Sequence, residues 1–408
     1  MTGVFFHVQH LLGIGHVRRA ALIVRALADA GARVTVAFGG FGDTAAEFAG
    51  ATVVRLPPAR AADSRFSALA GESGTPVDDA WKAARRDALL AAASAGRWDA
   101  LVTETFPFGR NQLRFELEPL LDWAYGLPVR PRIFASVRDI LVAKPDAGRR
   151  QRMVATAARW YDAVLVHGDP ALVPLTATLP EAAALGDRVR YTGYVAPPDD
   201  APLPPGDDGR GEIVVSVGGG AAGAPLLCAA VEAAQAVPAH PWRILVGPDT
   251  PGDAVRRVAA AARPGCVVEP ARADFPGLLR RCALSVSQAG YNTMMDVLAA
   301  GCRAVVVPFS AGAETEQPLR ARLFAERGLA VVLDEAALSP AALAAAVTRA
   351  LAAPGPAPLQ VRRDGAAASA RIILGRNGGP PPGGAMFDGS PDGPGSYNAR
   401  PLPPGDHP

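Results

Sequence analysis

The stretch ALSVSQAGYNTMMDVLAAGCRAVVVPFSAGAETEQPLR, residues 283–320, decides the fold. It opens with a short apolar run, 283–287, that reads as a strand and stops at the turn SQAG. A helix is expected over 291–300, a second strand over 303–307 and a second helix over 315–327. Strand, turn, helix and strand again is the pattern of parallel βαβ units.

The alternation extends in both directions. Toward the N-terminus it predicts strands at 212–217 and 242–246, a helix from about 225, and a glycine-rich turn GGGAAG at 218–223. Toward the C-terminus it predicts a strand at 330–333 and a helix at 340–351. The first half repeats the arrangement, with strands at 4–8, 33–38, 99–103, 132–136 and 163–167, and helices at 17–30 and 111–125. Between the halves lies APPDDAPLPPGDDGR, residues 196–210, whose Pro, Gly and Asp oppose both helix and strand. Two α/β domains are therefore expected, 1–195 and 211–375, joined by the linker 196–210. Residues 376–408 are dominated by Gly and Pro and read as a disordered tail. Two doubly wound domains leave a cleft between the carboxyl ends of their sheets, where such sheets bind ligands.

Composition bounds the function. With 408 residues and 49% hydrophobic content the chain is long enough for two cores. A net charge of +2 gives no electrostatic argument for nucleic acid. Cys228, Cys266, Cys282 and Cys302 form no C-x-x-C pair, so buried reduced thiols are expected rather than zinc or disulfides. The opening MTGVFFHVQH lacks a basic segment and reads as a first strand, not a signal peptide. No stretch of about 18 apolar residues suggests a membrane span, so a cytoplasmic protein is expected. A peripheral contact with the inner membrane face stays open, though 57–76 lacks a basic amphipathic pattern.

Several segments carry candidate chemistry. Gly218, Gly219 and Gly220 follow a strand, where free backbone N–H groups and a helix start suit phosphate oxygens. A plain tight turn is about as common, and neither a Walker A lysine nor an acidic end to the next strand is present. Ser287, Gln288, Ala289, Gly290, Asn292 and Thr293 form a second helix start of the same kind. Asp296, one turn on, is placed to accept from ribose hydroxyls, or is a helix carboxylate favoured by the dipole. Glu316 and Gln317 reach the same sheet edge, for sugar hydroxyls or as a helix cap. In the first domain Gly15 and His16 follow strand one. A neutral histidine there can take a proton from an acceptor hydroxyl. Glu104 ends another strand and is placed to orient His16, or is an ordinary loop carboxylate; Asp139 and His167 share that ambiguity, and His7 reads as structural.

These segments, in order, resemble the C-terminal signature of family 28 glycosyltransferases, whose best-known member is the peptidoglycan N-acetylglucosaminyltransferase. The residues that carry the resemblance are SQAGYNT at 287–293, Asp296, Gly301, Val307-Pro308 and Glu316-Gln317. Residues 13–16 are similar to the family's N-terminal glycine loop ending in His, and 218–223 to its second glycine loop. TETFPFGR, 103–110, looks closer to related bacterial glycosyltransferases of unassigned acceptor. The resemblance implies a GT-B fold of two Rossmann-like domains, a UDP-sugar in the C-terminal domain and an acceptor on the N-terminal one. It implies transfer with inversion and without a metal, with the nucleotide-sugar as substrate and no further cofactor. His16 then matches the base candidate, Asp296 the ribose-binding acid and Gln317 the sugar-binding glutamine. The acceptor would be a lipid-linked or polysaccharide hydroxyl. Asp296 stands where the family usually has Glu, Gly220 where it has Ser, and Leu11-Leu12 where it has glycines, which separates this chain from the peptidoglycan enzyme. A nucleotide-sugar hydrolase or epimerase, and a non-catalytic nucleotide-sugar-binding protein, are the alternatives on the same fold.

Overall fold

The structure, a computed structural model, describes residues 1–9, 11, 15–41, 47–62, 68–142, 144–196, 203–218, 221–311, 314–356 and 361–376. Gly219, Gly220, residues 197–202 of the expected linker and the tail from 377 lie outside the described residues.

In the first half the order is β1 (Gly3–Val8), α1 (Gly15–Asp29), β2 (Arg33–Phe38) and β3 (Thr52–Arg55), then the short strands β4 (Arg60–Ala61) and β5 (Leu69–Ala70). There follow α2 (Asp79–Ser94), β6 (Ala100–Glu104), α3 (Arg114–Tyr125), β7 (Arg132–Arg138), α4 (Ala147–Trp160), β8 (Ala163–His167) and β9 (Val189–Tyr191). Seven strands form one sheet in the order β3-β2-β1-β6-β7-β8-β9, and every pairing in it is parallel. Helices cover both faces, so β1 and β6 are buried throughout.

The second half runs β10 (Ile213–Ser216), α5 (Ala224–Ala233), β11 (Trp242–Val246), α6 (Gly252–Ala261), β12 (Cys266–Pro270), α7 (Phe275–Leu279), β13 (Leu284–Ser287) and α8 (Tyr291–Ala300). It continues with β14 (Ala304–Val306), α9 (Glu316–Glu326), β15 (Val331–Val332), α10 (Pro340–Ala352) and α11 (Gly365–Ile373). Its sheet is also parallel, in the order β12-β11-β10-β13-β14-β15. The strand order reverses between β1 and β6 in one sheet and between β10 and β13 in the other. Such switch points open a crevice at the carboxyl ends of the strands. The candidate residues lie at the ends of, or just after, β1, β6, β10, β13 and β14.

Both expected domains are present, and the strands at 33–38, 163–167 and 242–246 and the helix at 291–300 keep their expected bounds. Two expectations about the joints are corrected. The chain does not stay in the second domain to residue 375: α11 returns to the first, where Ala370 and Ile373 join the core built by α1 and β2. Gly365 makes that return possible, because a Cβ there would lie 2.4 Å from the Gly193 carbonyl oxygen. The linker's second part is bound to the second domain. Asp208 pairs with Arg243 at 2.8 Å and Arg272 at 2.6 Å, so these residues are a fixed edge, not a tether. The four cysteines are half-buried and free of disulfides.

The domains are also packed directly. One apolar cluster joins Ile140, Leu172, Val173 and Tyr194 of the first with Met294, Leu278 and Phe324 of the second. No helix among the described residues is long and apolar enough to cross a membrane.

Candidate active site

His16 lies in the first turn of α1 and Glu104 is the last residue of β6. The two strands preceding them are neighbours, with His7 opposite Thr103, so the loops open side by side. His16 Nδ1 lies 2.6 Å from Glu104 Oε1. Arg19, one turn further along α1, donates to the same oxygen at 2.5 Å and approaches His16 Nδ1 at 3.1 Å. The shorter contact decides the tautomer: Nδ1–H donates to the carboxylate and Nε2 keeps the lone pair. Burial holds the His16 pKa down to about 4, with Arg110 and Arg19 also lowering it and Glu104 opposing. The imidazole is therefore neutral at pH 7. Burial alone would raise the Glu104 carboxyl, but the His16 contact and the guanidinium groups of Arg19 and Arg110 hold it well below the usual range. A neutral base with an ionised partner that stabilises the incoming proton is the arrangement that general-base chemistry needs.

Across the crevice, β13 ends at Ser287, Gly290 holds an extended backbone, and α8 begins at Tyr291 without a side-chain cap. The first backbone N–H groups of a helix have no partner within it, so those of Tyr291, Asn292 and Thr293 are open to an anion. Asn292 and Thr293 are half-buried. The two halves of the site meet here, since a Cβ on Gly15 would lie 3.3 Å from Asn292 Nδ2. Gly218 leaves β10 in the left-handed region at φ 64° with open space around its Cα, and α5 starts uncapped after it.

Three expected donor contacts turn inward instead. The Ala289 N–H donates to Gln317 Oε1 at 3.1 Å and its carbonyl accepts from Arg320 at 2.9 Å, so this peptide has no group left for a ligand. Glu316 is buried, with Oε1 accepting from Arg320 at 2.8 Å and Oε2 paired with Arg138 at 2.5 Å. Its carboxylate closes the domain interface and does not face the crevice. Ser287 is fully buried and its hydroxyl makes no hydrogen bond among the described residues. Gln317 has a divided role. Its Oε1 also accepts from the Phe309 N–H at 3.0 Å, bracing two loops, while its amide nitrogen makes no hydrogen bond among the described residues. Gln288 stays half-buried beside them.

Asp296 sits in the second turn of α8. Burial raises its carboxyl to about 7, and Arg18 of α1 opposes this only in part. A carboxyl that burial holds half-protonated at neutral pH, beside the site, is fitted to accept hydrogen bonds from a ligand.

Other residues matter that the sequence reading did not place. Arg320 donates to Asp139 at 3.0 Å, a fully buried pair between the domains. The Tyr291 hydroxyl donates to the His167 carbonyl at 3.0 Å and accepts from the Val195 N–H at 3.2 Å. Arg320 lies four residues after Glu316, a helical ion-pair spacing that was available as a signal. His167 is itself fully buried, held by Ser136 at 2.8 Å and Thr192 at 2.9 Å, and His7 contacts Glu116 at 3.3 Å. Both are structural. Among the described residues no group of three His, Cys, Asp or Glu is arranged to hold a metal ion.

Comparison with known proteins agrees with this architecture. Residues 214–367 match the glycosyltransferase family 28 C-terminal domain. The UDP-N-acetylglucosamine--N-acetylmuramyl-(pentapeptide) pyrophosphoryl-undecaprenol N-acetylglucosamine transferase of Rhodospirillum centenum is 28% identical over 263 residues, 60% of this chain and 66% of that protein. The enzyme of the same name from Syntrophotalea carbinolica is 32% identical over 152 residues, 36% of this chain and 41% of its own. The aligned stretches thus span less than two thirds of these relatives. In structure, the calicheamicin glycosyltransferase CalG4 superposes with a TM-score of 0.61 at 17% identity, covering 93% of this chain and 95% of that one. Acinetobacter baumannii MurG superposes with a TM-score of 0.57 at 15% identity, covering 91% and 95%. The chain has the GT-B fold, and the family resemblance read from its sequence is borne out.

Proposed function

We propose that this chain is a glycosyltransferase that moves a sugar from a nucleotide-sugar, with UDP as the nucleotide, to an acceptor hydroxyl, inverting the anomeric carbon without a metal or further cofactor. One observation carries the reading. The His16–Glu104 pair lies at the same crevice as the uncapped start of α8, so near that a Cβ on Gly15 would lie 3.3 Å from Asn292 Nδ2.

The residues divide the work. The N–H groups at the starts of α8 and α5 hold the diphosphate, and their helix dipoles stabilise the charge it gains on leaving. Asp296 accepts from the ribose hydroxyls, and the free amide of Gln317 donates to a sugar hydroxyl. His16 Nε2 takes the proton of the acceptor hydroxyl as its oxygen attacks the anomeric carbon from the face opposite the diphosphate. Glu104 stabilises the imidazolium that forms. Packing between the domains excludes water, which favours transfer over hydrolysis. The names of the relatives, with UDP-N-acetylglucosamine as donor and an undecaprenol-linked acceptor, support a UDP-sugar donor and a lipid-linked or polysaccharide acceptor met at the inner membrane face from the cytoplasm.

A thermal-shift panel of UDP, GDP and TDP tests the donor side. UDP at a hundred times its dissociation constant should stabilise the protein by about 3 kcal/mol, and no shift with any nucleotide sinks the proposal. Incubation with UDP-sugars alone tests the transfer: rapid turnover without acceptor would make the protein a hydrolase instead.

A further inference from the structure

The loop that follows Glu104 places an unmatched cation beside His16. Thr105 and Arg110 both adopt the left-handed region, at φ 67° and 60°, which is uncommon for residues with a Cβ. The loop doubles back through Phe108 N–H to Thr105 O at 2.9 Å and Gly109 N–H to Thr105 O at 3.1 Å. This brings the Arg110 guanidinium within electrostatic reach of Glu104 and His16. Its Nε and Nη2 are shielded from solvent and make no hydrogen bond among the described residues.

The neighbouring anions already have cation partners, although Glu104 Oε2 makes no hydrogen bond among the described residues. Glu104 Oε1 is shared by His16 and Arg19. Glu316 is held by Arg138 and Arg320, and Asp139 by Arg320. Among the described residues four guanidinium groups, of Arg19, Arg110, Arg138 and Arg320, thus meet three carboxylates, and the group that no ion pair or hydrogen bond through its Nε or Nη2 holds is that of Arg110. A shielded guanidinium with free donors fits a planar or tetrahedral oxyanion, which accepts two of its N–H groups at once.

We propose that Arg110 binds an anionic group, phosphate or carboxylate, carried by the acceptor next to the hydroxyl that His16 deprotonates. The inference rests on the transferase reading and adds a class of acceptor to it. The donor's own diphosphate is the other source of such an anion. It is disfavoured because Arg110 belongs to the acceptor domain, while the open helix starts that suit the diphosphate are in the other.

Isothermal titration of the full chain with inorganic phosphate at low ionic strength, after saturation with UDP, separates the two. The wild type is expected to bind phosphate with UDP in place. Arg110→Gln should weaken that binding by about tenfold or more and leave UDP affinity unchanged. Arg110→Lys should fall between. Melting curves without ligand read the structural alternative: removing an unmatched buried cation leaves the melting temperature equal or higher. The proposal is overturned if Arg110→Gln lowers the melting temperature, if it weakens UDP instead of phosphate, or if the UDP-loaded wild type takes no phosphate. Should UDP fail to bind the wild type, the transferase reading falls. Phosphate titration of the two proteins without nucleotide then still decides whether Arg110 is an anion site.

Discussion

Replacing Asp296 with asparagine should stabilise the protein and damage its site together. Asp296 lies in the second turn of α8, and burial raises its pKa from 3.8 to about 7. The folded state therefore binds more protons than the unfolded state between those two values. Stability falls as pH rises through that window, and the whole loss is present above about pH 7. About three pKa units correspond to about 4 kcal/mol at the upper limit. Allowing for the residual exposure of a half-buried side chain, about 2–4 kcal/mol is expected. Asp296→Asn keeps the shape and removes the charge, so its unfolding free energy at pH 8.5 should exceed the wild type's by that amount. The gain should shrink toward pH 5 and vanish near pH 4. Chemical denaturation of both proteins at the three pH values reads it directly. If the carboxylate accepts from ribose hydroxyls, UDP affinity of the same variant should fall by about tenfold. A ΔΔG that is constant with pH, or a destabilised variant, would refute the reasoning about burial. Unchanged UDP affinity would remove Asp296 from the donor site.

His16→Ala and Glu104→Gln should each lower kcat, the first by about 10²–10⁴-fold, with little change in UDP affinity, because neither side chain belongs to the donor domain. With a base of pKa about 4, the pH–rate profile should stay level from pH 8 to about 5 and fall below about 4. Because the folded-state pKa of His16 lies below the ordinary 6.5, protonation favours unfolding, so its contribution weakens stability as pH drops from about 6.5 to 4. Arg320→Met should cost about 3–5 kcal/mol, since it strands the buried Asp139 carboxylate, and Asp139→Asn should cost less, since Arg320 keeps Glu316 as its partner; the double variant should cost less than the sum, read by denaturation in a double-mutant cycle.

Much of this protein is readable along the chain, and the reason is geometric. In a parallel sheet every strand's carboxyl end lies on one edge, so a residue that ends a strand is on the ligand side whatever the distant contacts are. His16, Glu104 and the start of α8 could be placed that way: His16 and Glu104 meet at 2.6 Å, and α8 comes so near that a Cβ on Gly15 would lie 3.3 Å from Asn292 Nδ2. Periodicity and glycine punctuation act over a few residues, so the central strands of both sheets and the helices α1, α3, α5, α8, α9 and α10 were legible, whereas β3, β9, β12, α2, α4, α6, α7 and α11 were not read from the chain.

What the chain does not reveal locally is which way a polar group turns once the domains pack. Glu316 reads as a ligand residue until Arg138, from the other domain, occupies its second oxygen. The Ala289 peptide reads as an open anion site until Arg320 and Gln317 claim both its ends. Arg320 and Asp139 are 181 residues apart in sequence and pair only in the folded molecule. The last helix reads as part of the second domain, yet its apolar face is buried against α1 of the first. Sequence alone therefore determined two parallel-sheet domains with their loop edges as the site. Tertiary structure decided which side chains serve a ligand and which lock the domains, because a buried charge takes the partner that packing brings nearest.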